Sequence, residues 1–318
     1  RATYPDSAFT MVEQSEQLGT GHAVKCALGD LRDQAKVIIL YGDVPLITPA
    51  TIAKMLAAVD DEHLSLLTIK LADPSGYGRI IRDSHGQIEA IVEQKDASSD
   101  QLQISEVNTG VMALTTELLN AWLPKIGNQN AQGEYYLTDL IAIARSAGYS
   151  INTVQPASAS EVEGVNSRQQ LAALERTYQL QLAEQLMASG TSLADPARFD
   201  QRGTLSAGTD NFIDINCVFE GTVTIGSNVR IGPNCQIIDS HIGDGVAIKA
   251  NTVIEQSTIG DQAVLGPFAR IRPGTQLGSN TKVGNFVETK KAIVGNGSKI
   301  NHLSYVGDAE LGENVNVG

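Results

Sequence analysis

The sequence predicts an open α/β sheet domain followed by a parallel β-helix of hexapeptide repeats, and three observations carry that expectation. Short aliphatic runs alternate with apolar-periodic helical stretches up to about residue 150, as in an α/β sheet. One long helix with start and stop signals occupies 167–189. From Ile213 onward an aliphatic residue returns at nearly every sixth position, which is a repeat signal with few false positives over so long a stretch.

The elements can be taken in order. Gln17-Leu18-Gly19-Thr20-Gly21-His22 is a glycine turn that feeds an apolar-periodic helix beginning at Ala23. The run VIILY at 37–41 ends in Gly42-Asp43-Val44-Pro45, a buried strand breaking into a loop, so Asp43 sits at a strand's carboxyl end. A helix at 48–59, a strand at 64–71, a hairpin around Asp83-Ser84-His85-Gly86 and helices near 115–124 and 136–147 follow.

In the long helix Ser167 and Gln170 have capping-box spacing, Leu171, Leu174, Tyr178, Leu182 and Leu186 share a face, and Gly190 ends it. It reads as a linker. The expected domains are therefore 1–166, a linker at 167–194, and a repeat domain at 195–318, entered at Asp195-Pro196.

In the repeat, Ile225, Ile231, Ile237, Ile242, Ile248, Ile254, Ile259, Leu265, Ile271, Leu277, Val283, Val294, Ile300, Val306, Leu311 and Val317 are the inward positions. Glycine follows many of them, and a small residue fits each crowded turn. Three hexapeptides close one triangular coil, and coils stack at roughly 4.8 Å. Cys217 and Cys235 fall on the small-residue position and read as core.

Composition agrees. A chain of 318 residues exceeds one ordinary core, and 5% aromatics with 30 glycines suit a solenoid with a thin aliphatic interior. A net charge of −13 argues against coating nucleic acid or an anionic membrane. Three cysteines without a CxxC pair fit a reducing compartment, and no apolar run reaches membrane-spanning length, so the expectation is a cytoplasmic protein.

Seven segments then occur in one order: QLGTGHA from Gln17, YGDVP from Tyr41, GYGRI from Gly76, VEQKDA from Val92, EVNTG from Glu106, GEYYLTD from Gly133 and VEGVNSR from Val162. With the long helix, DPARFD from Asp195 and the repeats, they make the whole chain resemble bacterial bifunctional N-acetylglucosamine-1-phosphate uridylyltransferase/glucosamine-1-phosphate acetyltransferase. The resemblance implies a Rossmann-like nucleotide-sugar transferase domain, a left-handed β-helix and a homotrimer assembled through it. It also implies UTP, N-acetylglucosamine-1-phosphate, glucosamine-1-phosphate and acetyl-CoA as substrates, with magnesium. That family opens with a glycine-rich basic loop of the type LAAGxGTRM, which nothing before Arg1 matches, and continues past the equivalent of Gly318 with coils that hold acetyl-CoA. The expectation is a chain cut at both ends, incomplete at both sites and impaired in activity.

For uridylyl transfer the nucleophile is a phosphate anion, so charge neutralisation and alignment matter more than a general base. By its position alone Asp43 is either a cation ligand or a loop cap, and Glu93 alone reads as a solvated charge. The resemblance makes Asp43 and Asn166 the magnesium ligands. It places Gln14, Gly19 and Thr20 around the uracil, Tyr41 and Gly42 beside the nucleotide, and Gly78, Glu93 and Asn108 on the sugar side.

In the repeat, Arg272 and Lys290 follow inward positions one coil apart, so their side chains leave one face about 4.8 Å from each other. Such cations repel unless an anion joins them: either a bound sugar phosphate or simply a charged face. Acetyl transfer asks for a base near neutral pKa, and His302 lies in an irregular polar patch. The resemblance assigns His302 as that base, Tyr305 and Asn316 as substrate contacts, and Arg272 and Lys290 to the phosphate. The register also sets Asn285 one coil below His302 and Glu288 one coil below Tyr305, either orienting them or only stiffening the coil. His22 reads as a structural helix-start histidine, and His63, His85 and His241 as turn or surface residues.

Two other readings compete: a single-activity sugar-nucleotide pyrophosphorylase with a β-helix used only for assembly, and a non-catalytic scaffold. The cluster of Arg272, Lys290, His302 and Tyr305 speaks against the first. Retention of Asp43 with Asn166 speaks against the second.

Overall fold

A computed structural model describes residues 9–318, so residues 1–8 of the expected first domain lie outside the described residues. The chain forms two compact units, 1–170 and 171–318.

The first unit is built on a mixed sheet whose centre is β5 (Glu106–Thr115). It runs antiparallel to β1 (Lys36–Ile39), β2 (His63–Lys70) and β3 (Arg79–Arg82). β3 pairs in turn with β4 (Ile88–Val92), and β2 pairs in parallel with β6 (Ser150–Val154). Strand side chains alternate between two faces, and here both faces are apolar. Leu66, Met112 and Leu114 enter one core with α3 (Thr116–Trp122) and α4 (Asp139–Ser146), while Leu67, Val111 and Ala113 enter another with Met55 of α2 (Pro49–Ala57). That two-sided burial explains why β5 is closed to solvent along nearly its whole length. The helix ends obey local rules: the Thr48 hydroxyl caps α2 by accepting from the Thr51 N–H at 3.2 Å.

The long helix runs Arg168–Ala188, and from Leu171 on it falls in the second unit. Ser167 caps it, accepting from the Gln170 N–H at 3.2 Å. The Gln170 carboxamide reaches back one residue beyond the capping-box position and accepts from the Asn166 N–H at 2.8 Å. Ala183 and Leu186 pack into the β-helix core, and Arg176 pairs with Asp200 at 2.6 Å.

The β-helix is parallel throughout, and it starts one coil before Ile213: Thr191–Leu193 already pairs with Asn211–Ile213, and Phe199–Ala207 with Cys217–Ile225. Phe199 fills the interior of that first coil, where the aliphatic-glycine signature is missing. The inward columns are continuous, for example Ile213 on Ile231 on Ile248 on Leu265. Coils are 17 or 18 residues long. The 18-residue coils carry glycine with positive φ at one corner, Gly221 and Gly274, where the 17-residue coils take one residue fewer and use Asp239, Gln256, Lys291 or Asp308. Cys217 and Cys235 are buried and free, and their thiols donate to the Gly232 and Lys249 carbonyls. Among the described residues no helix is long and apolar enough to cross a membrane.

A second corner has a column of residues in the left-handed region: Asn216, Asn234 and Asn251, then Phe268, Phe286 and Leu303. Asparagine adopts this conformation at little cost, whereas phenylalanine and leucine do not. The two rings stack with centroids 5.2 Å apart.

Candidate functional site

In the first unit the chain returns repeatedly to the carboxyl end of β1, where the loop after it begins at Leu40 and carries Tyr41 and Asp43. A cavity of about 430 Å³ there is lined by Tyr41, Asp43, Gly78, Glu93, Asn108 and Asn166, so six of the ten residues expected around the first site meet in one place. The segment carrying Asn166 is tied to the Asp43 loop by the Val165 N–H, which donates to the Asp43 carbonyl at 2.8 Å. Both side chains then reach the space above Gly164, where an added Cβ would stand 3.8 Å from Asp43 Oδ2 and 3.9 Å from Asn166 Nδ2.

That pair is a fit for a hard cation, since a carboxylate and a carboxamide offer oxygen donors and leave positions for phosphate oxygens and water. Among the described residues no group of three or more His, Cys, Asp or Glu side chains forms a ready metal cage. A cation held at Asp43 and Asn166 would therefore take most of its ligands from what it binds.

Glycines set the width of the site. Gly110 has φ +85°, and a Cβ there would lie 2.2 Å from the Tyr41 ring, so the ring can lie against the strand only because position 110 is glycine. At Gly78 a Cβ would lie 2.9 Å from Ile91 and 3.4 Å from Glu93. The Asn108 N–H donates to the Gly78 carbonyl at 2.9 Å, and Asn108 Oδ1 accepts from the Gly110 N–H at 3.1 Å, which leaves the Asn108 amide hydrogens for the cavity. Buried Arg79 supports the loop before Gly78: its guanidinium donates to Gln94 Oε1 at 3.2 Å, and the same oxygen accepts from the Gly76 N–H at 2.6 Å.

Burial pushes the Glu93 carboxyl above the usual carboxylate range, partly offset by the Thr138 hydroxyl, which donates to it at 3.0 Å. Glu93 is therefore a held carboxylate rather than a solvated charge. Burial and the neighbouring Glu93 likewise raise the Tyr41 phenol, partly offset by the nearby Thr20 hydroxyl. Thr20, at the first turn of α1 (Thr20–Ala27), does not line the cavity, and its hydroxyl accepts from the Leu137 N–H at 3.1 Å. Gly42 follows Tyr41 in the loop. Gly19, with φ +105°, allows the backbone to approach Tyr135 closely. Gln14 does not line the cavity: its Nε2 donates to the Gly19 carbonyl at 3.2 Å and faces His22 Nδ1 at 3.1 Å. Gly110, Thr138 and Gly164 were not singled out by sequence, although the EVNTG, YYLTD and VEGVN segments contain them.

In the second unit the pairing of Asn285 with His302 and of Glu288 with Tyr305 is as the repeat spacing implies. Ile271 pairs with Thr289, so Arg272 and Lys290 are neighbours one coil apart, and Lys290 pairs with Gly307. Arg272 is not left facing a bare cation, because Glu288 meets it at 2.7 Å. A Cβ at Gly307 would lie 2.2 Å from the Tyr305 hydroxyl, which shows the phenol leaning along its strand toward the position above Lys290. His302 and Tyr305 stand on either side of the Leu303-Ser304 corner, both exposed. Asn316 Oδ1 accepts from Asn301 Nδ2 at 2.8 Å, next to His302. The Asn285 and His302 side chains share a rung but no hydrogen bond.

The sequence profile of the MobA-like NTP transferase domain matches residues 1–92, and that of the GMPPB C-terminal domain matches residues 203–288. Bifunctional protein GlmU of Marinobacter nauticus is 59% identical over 318 residues, covering 100% of this chain and 70% of its own length. That of Cellvibrio japonicus is 57% identical with the same coverage, and that of Chromohalobacter salexigens is 59% identical over 96% of this chain and 67% of its own length. A solved UDP-glucose pyrophosphorylase complexed with UDP-glucose covers 54% of this chain and 65% of its own at 15% identity and a TM-score of 0.43, too distant to bear on the site.

Proposed function

We infer that this chain, which belongs to the bifunctional GlmU family, serves both steps of UDP-N-acetylglucosamine synthesis: acetyl transfer to glucosamine-1-phosphate, then uridylyl transfer from UTP to the product. The observation that carries the first-unit half is the convergence of Asp43 and Asn166 over Gly164, in one cavity with Glu93 and Asn108.

In uridylyl transfer, the phosphate oxygen of N-acetylglucosamine-1-phosphate forms a bond to the α-phosphorus of UTP and pyrophosphate leaves. Asp43 and Asn166 would hold magnesium, which when bound would neutralise phosphate charge. Glu93 accepts from sugar hydroxyls and the free Asn108 amide hydrogens donate to sugar oxygens, fixing the attacking phosphate. Tyr41, seated on Gly110, walls the nucleotide, and Gln14, Gly19 and Thr20 border its base.

In acetyl transfer, the amine of glucosamine-1-phosphate attacks the thioester carbonyl of acetyl-CoA, an amide forms and the CoA thiol leaves. His302 takes the proton from the amine. Arg272 and Lys290 hold the phosphate, with Tyr305 and Asn316 as further contacts. The protein acts in the cytoplasm as a homotrimer joined through its β-helices. Light scattering at micromolar concentration is expected to give three copies, and a stable monomer would contradict the assembly. Each half-reaction assayed alone on full-length protein tests the assignment: first-unit substitutions should stop only pyrophosphate release, and second-unit substitutions only CoA release.

A further inference from the structure

The Gln14 carboxamide is held by its nitrogen end. The Gly19 carbonyl can only accept, so the group 3.2 Å from it must be the amide nitrogen, and this fixes which way the side chain is turned. The second amide hydrogen points to His22 Nδ1 at 3.1 Å, so that ring nitrogen accepts and the ring carries its proton on Nε2, which lies 3.9 Å from Cys26 Sγ one helical turn on. Both donors of Gln14 are thereby used inside the protein, and its oxygen remains as an acceptor only.

The scaffold behind this arrangement is fixed. The Gly21 N–H donates to the Tyr135 carbonyl, and the Tyr135 N–H to the Leu18 carbonyl, each at 2.8 Å, so the turn that carries Gly19 and starts α1 is bound on both sides to one strand-like segment. His22 rides on the first turn of α1, with its ring centroid 6.5 Å from that of Tyr135.

We propose that His22 is a positioning residue that locks Gln14 as a one-way acceptor and so makes the site select uracil over cytosine. This rests on the reading of Gln14 as a base contact. Uracil presents an N3–H donor to such an acceptor, whereas cytosine presents a lone pair at N3, so the wrong base sets two acceptors against each other. A site built around one fixed polar group rejects the analogue that cannot answer it far better than a merely shaped pocket does. Without His22 the carboxamide loses one of its two restraints and turns more freely, offering either end to the base.

The test uses full-length protein in the uridylyl half-reaction, with UTP and CTP varied in turn. His22→Phe keeps an aromatic ring but has no acceptor. It should raise KM for UTP about tenfold, leave kcat and the KM for the sugar phosphate within about twofold, and narrow the UTP/CTP preference by a similar factor. His22→Asn, whose Oδ1 falls near the place of Nδ1, should restore UTP binding to within about threefold of the parent. Gln14→Glu keeps an oxygen toward the base but has no N–H for Gly19 and His22, so it should lose UTP affinity as well, and it leaves His22 untouched should the phenylalanine variant fold poorly. Normal UTP binding and selectivity in His22→Phe, or in Gln14→Glu, would overturn the proposal. Gln14→Ala separates the two layers: if it leaves the KM for UTP unchanged, Gln14 is no base contact, whereas if it impairs UTP use while His22→Phe does not, the positioning role alone is wrong.

Discussion

The Glu288 carboxylate stands 2.7 Å from the Arg272 guanidinium, on the coil that also carries Lys290. An incoming phosphate must share Arg272 with this carboxylate. Arg272→Ala should therefore weaken glucosamine-1-phosphate half-saturation very roughly thirtyfold, the value of one charge-assisted contact, with a smaller effect on turnover. Glu288→Gln removes the competing charge and should shift half-saturation the other way by a few-fold, more at low salt. Steady-state kinetics of CoA release at two ionic strengths checks both signs.

His302→Ala should lower acetyl transfer about a hundredfold or more while changing substrate half-saturation little, as expected for losing a general base. Uridylyl transfer by the same protein should be unchanged. If pyrophosphate release collapses and CoA release survives, His302 belongs to the other reaction.

Asp43→Ala and Asn166→Ala should each lose most uridylyl turnover at ordinary magnesium and bind manganese more weakly in a direct titration followed by electron paramagnetic resonance. Acetyl transfer is expected to persist in both. Full pyrophosphate release in either variant would remove it from the metal site.

Glu161 ties the same two segments together from behind. It is 3% exposed, and its carboxylate accepts from the Thr48 and Thr51 hydroxyls at 2.8 and 2.6 Å and from the Thr48 and Ala157 N–H groups at 3.3 and 2.8 Å. Burial alone would raise this carboxyl, but the four donors outweigh it and hold the group below its ordinary value of 4.5. A carboxyl lowered by folding stabilises the protein above its unfolded value, and that contribution is lost as pH falls below 4.5 toward the folded value. Glu161→Gln sets an NH₂ among donors and should cost about 2 kcal/mol near neutral pH. Thermal melts should show this cost shrinking on acidification below pH 4.5. A cost independent of pH would contradict the buried-carboxylate account.

Periodic features were legible in the sequence, and side-chain partnerships were not. Every aliphatic position read from the repeat is inward, because a six-residue rhythm leaves each strand only one way to face the core. Thr289 escaped the aliphatic pattern, yet it is fully buried, with its hydroxyl 3.2 Å from that of Thr275. Asp43 was placed by the end of its strand alone. Its approach to Asn166 depends on a chain reversal more than a hundred residues later, which no local signal announces. The pairing of Glu288 with Arg272 needed the coil register together with a rotamer, and the hold of His22 on Gln14 needed the turn at Gly19 to close the distance. Glu93 illustrates the same limit: its charge is visible in the sequence, but its burial is a property of the site.

The mixture of 17- and 18-residue coils turns the solenoid into a ruler with two tick spacings. A segment excised between equivalent points of successive coils shortens the rod by one step and keeps every remaining column in line. A cut of six residues would instead advance the chain by a third of a turn and carry Ile300 from one wall of the prism to another. Length variants of this unit should therefore tolerate whole coils, with the choice of 17 or 18 set by whether the spliced corner carries a glycine such as Gly274 or a residue such as Lys291.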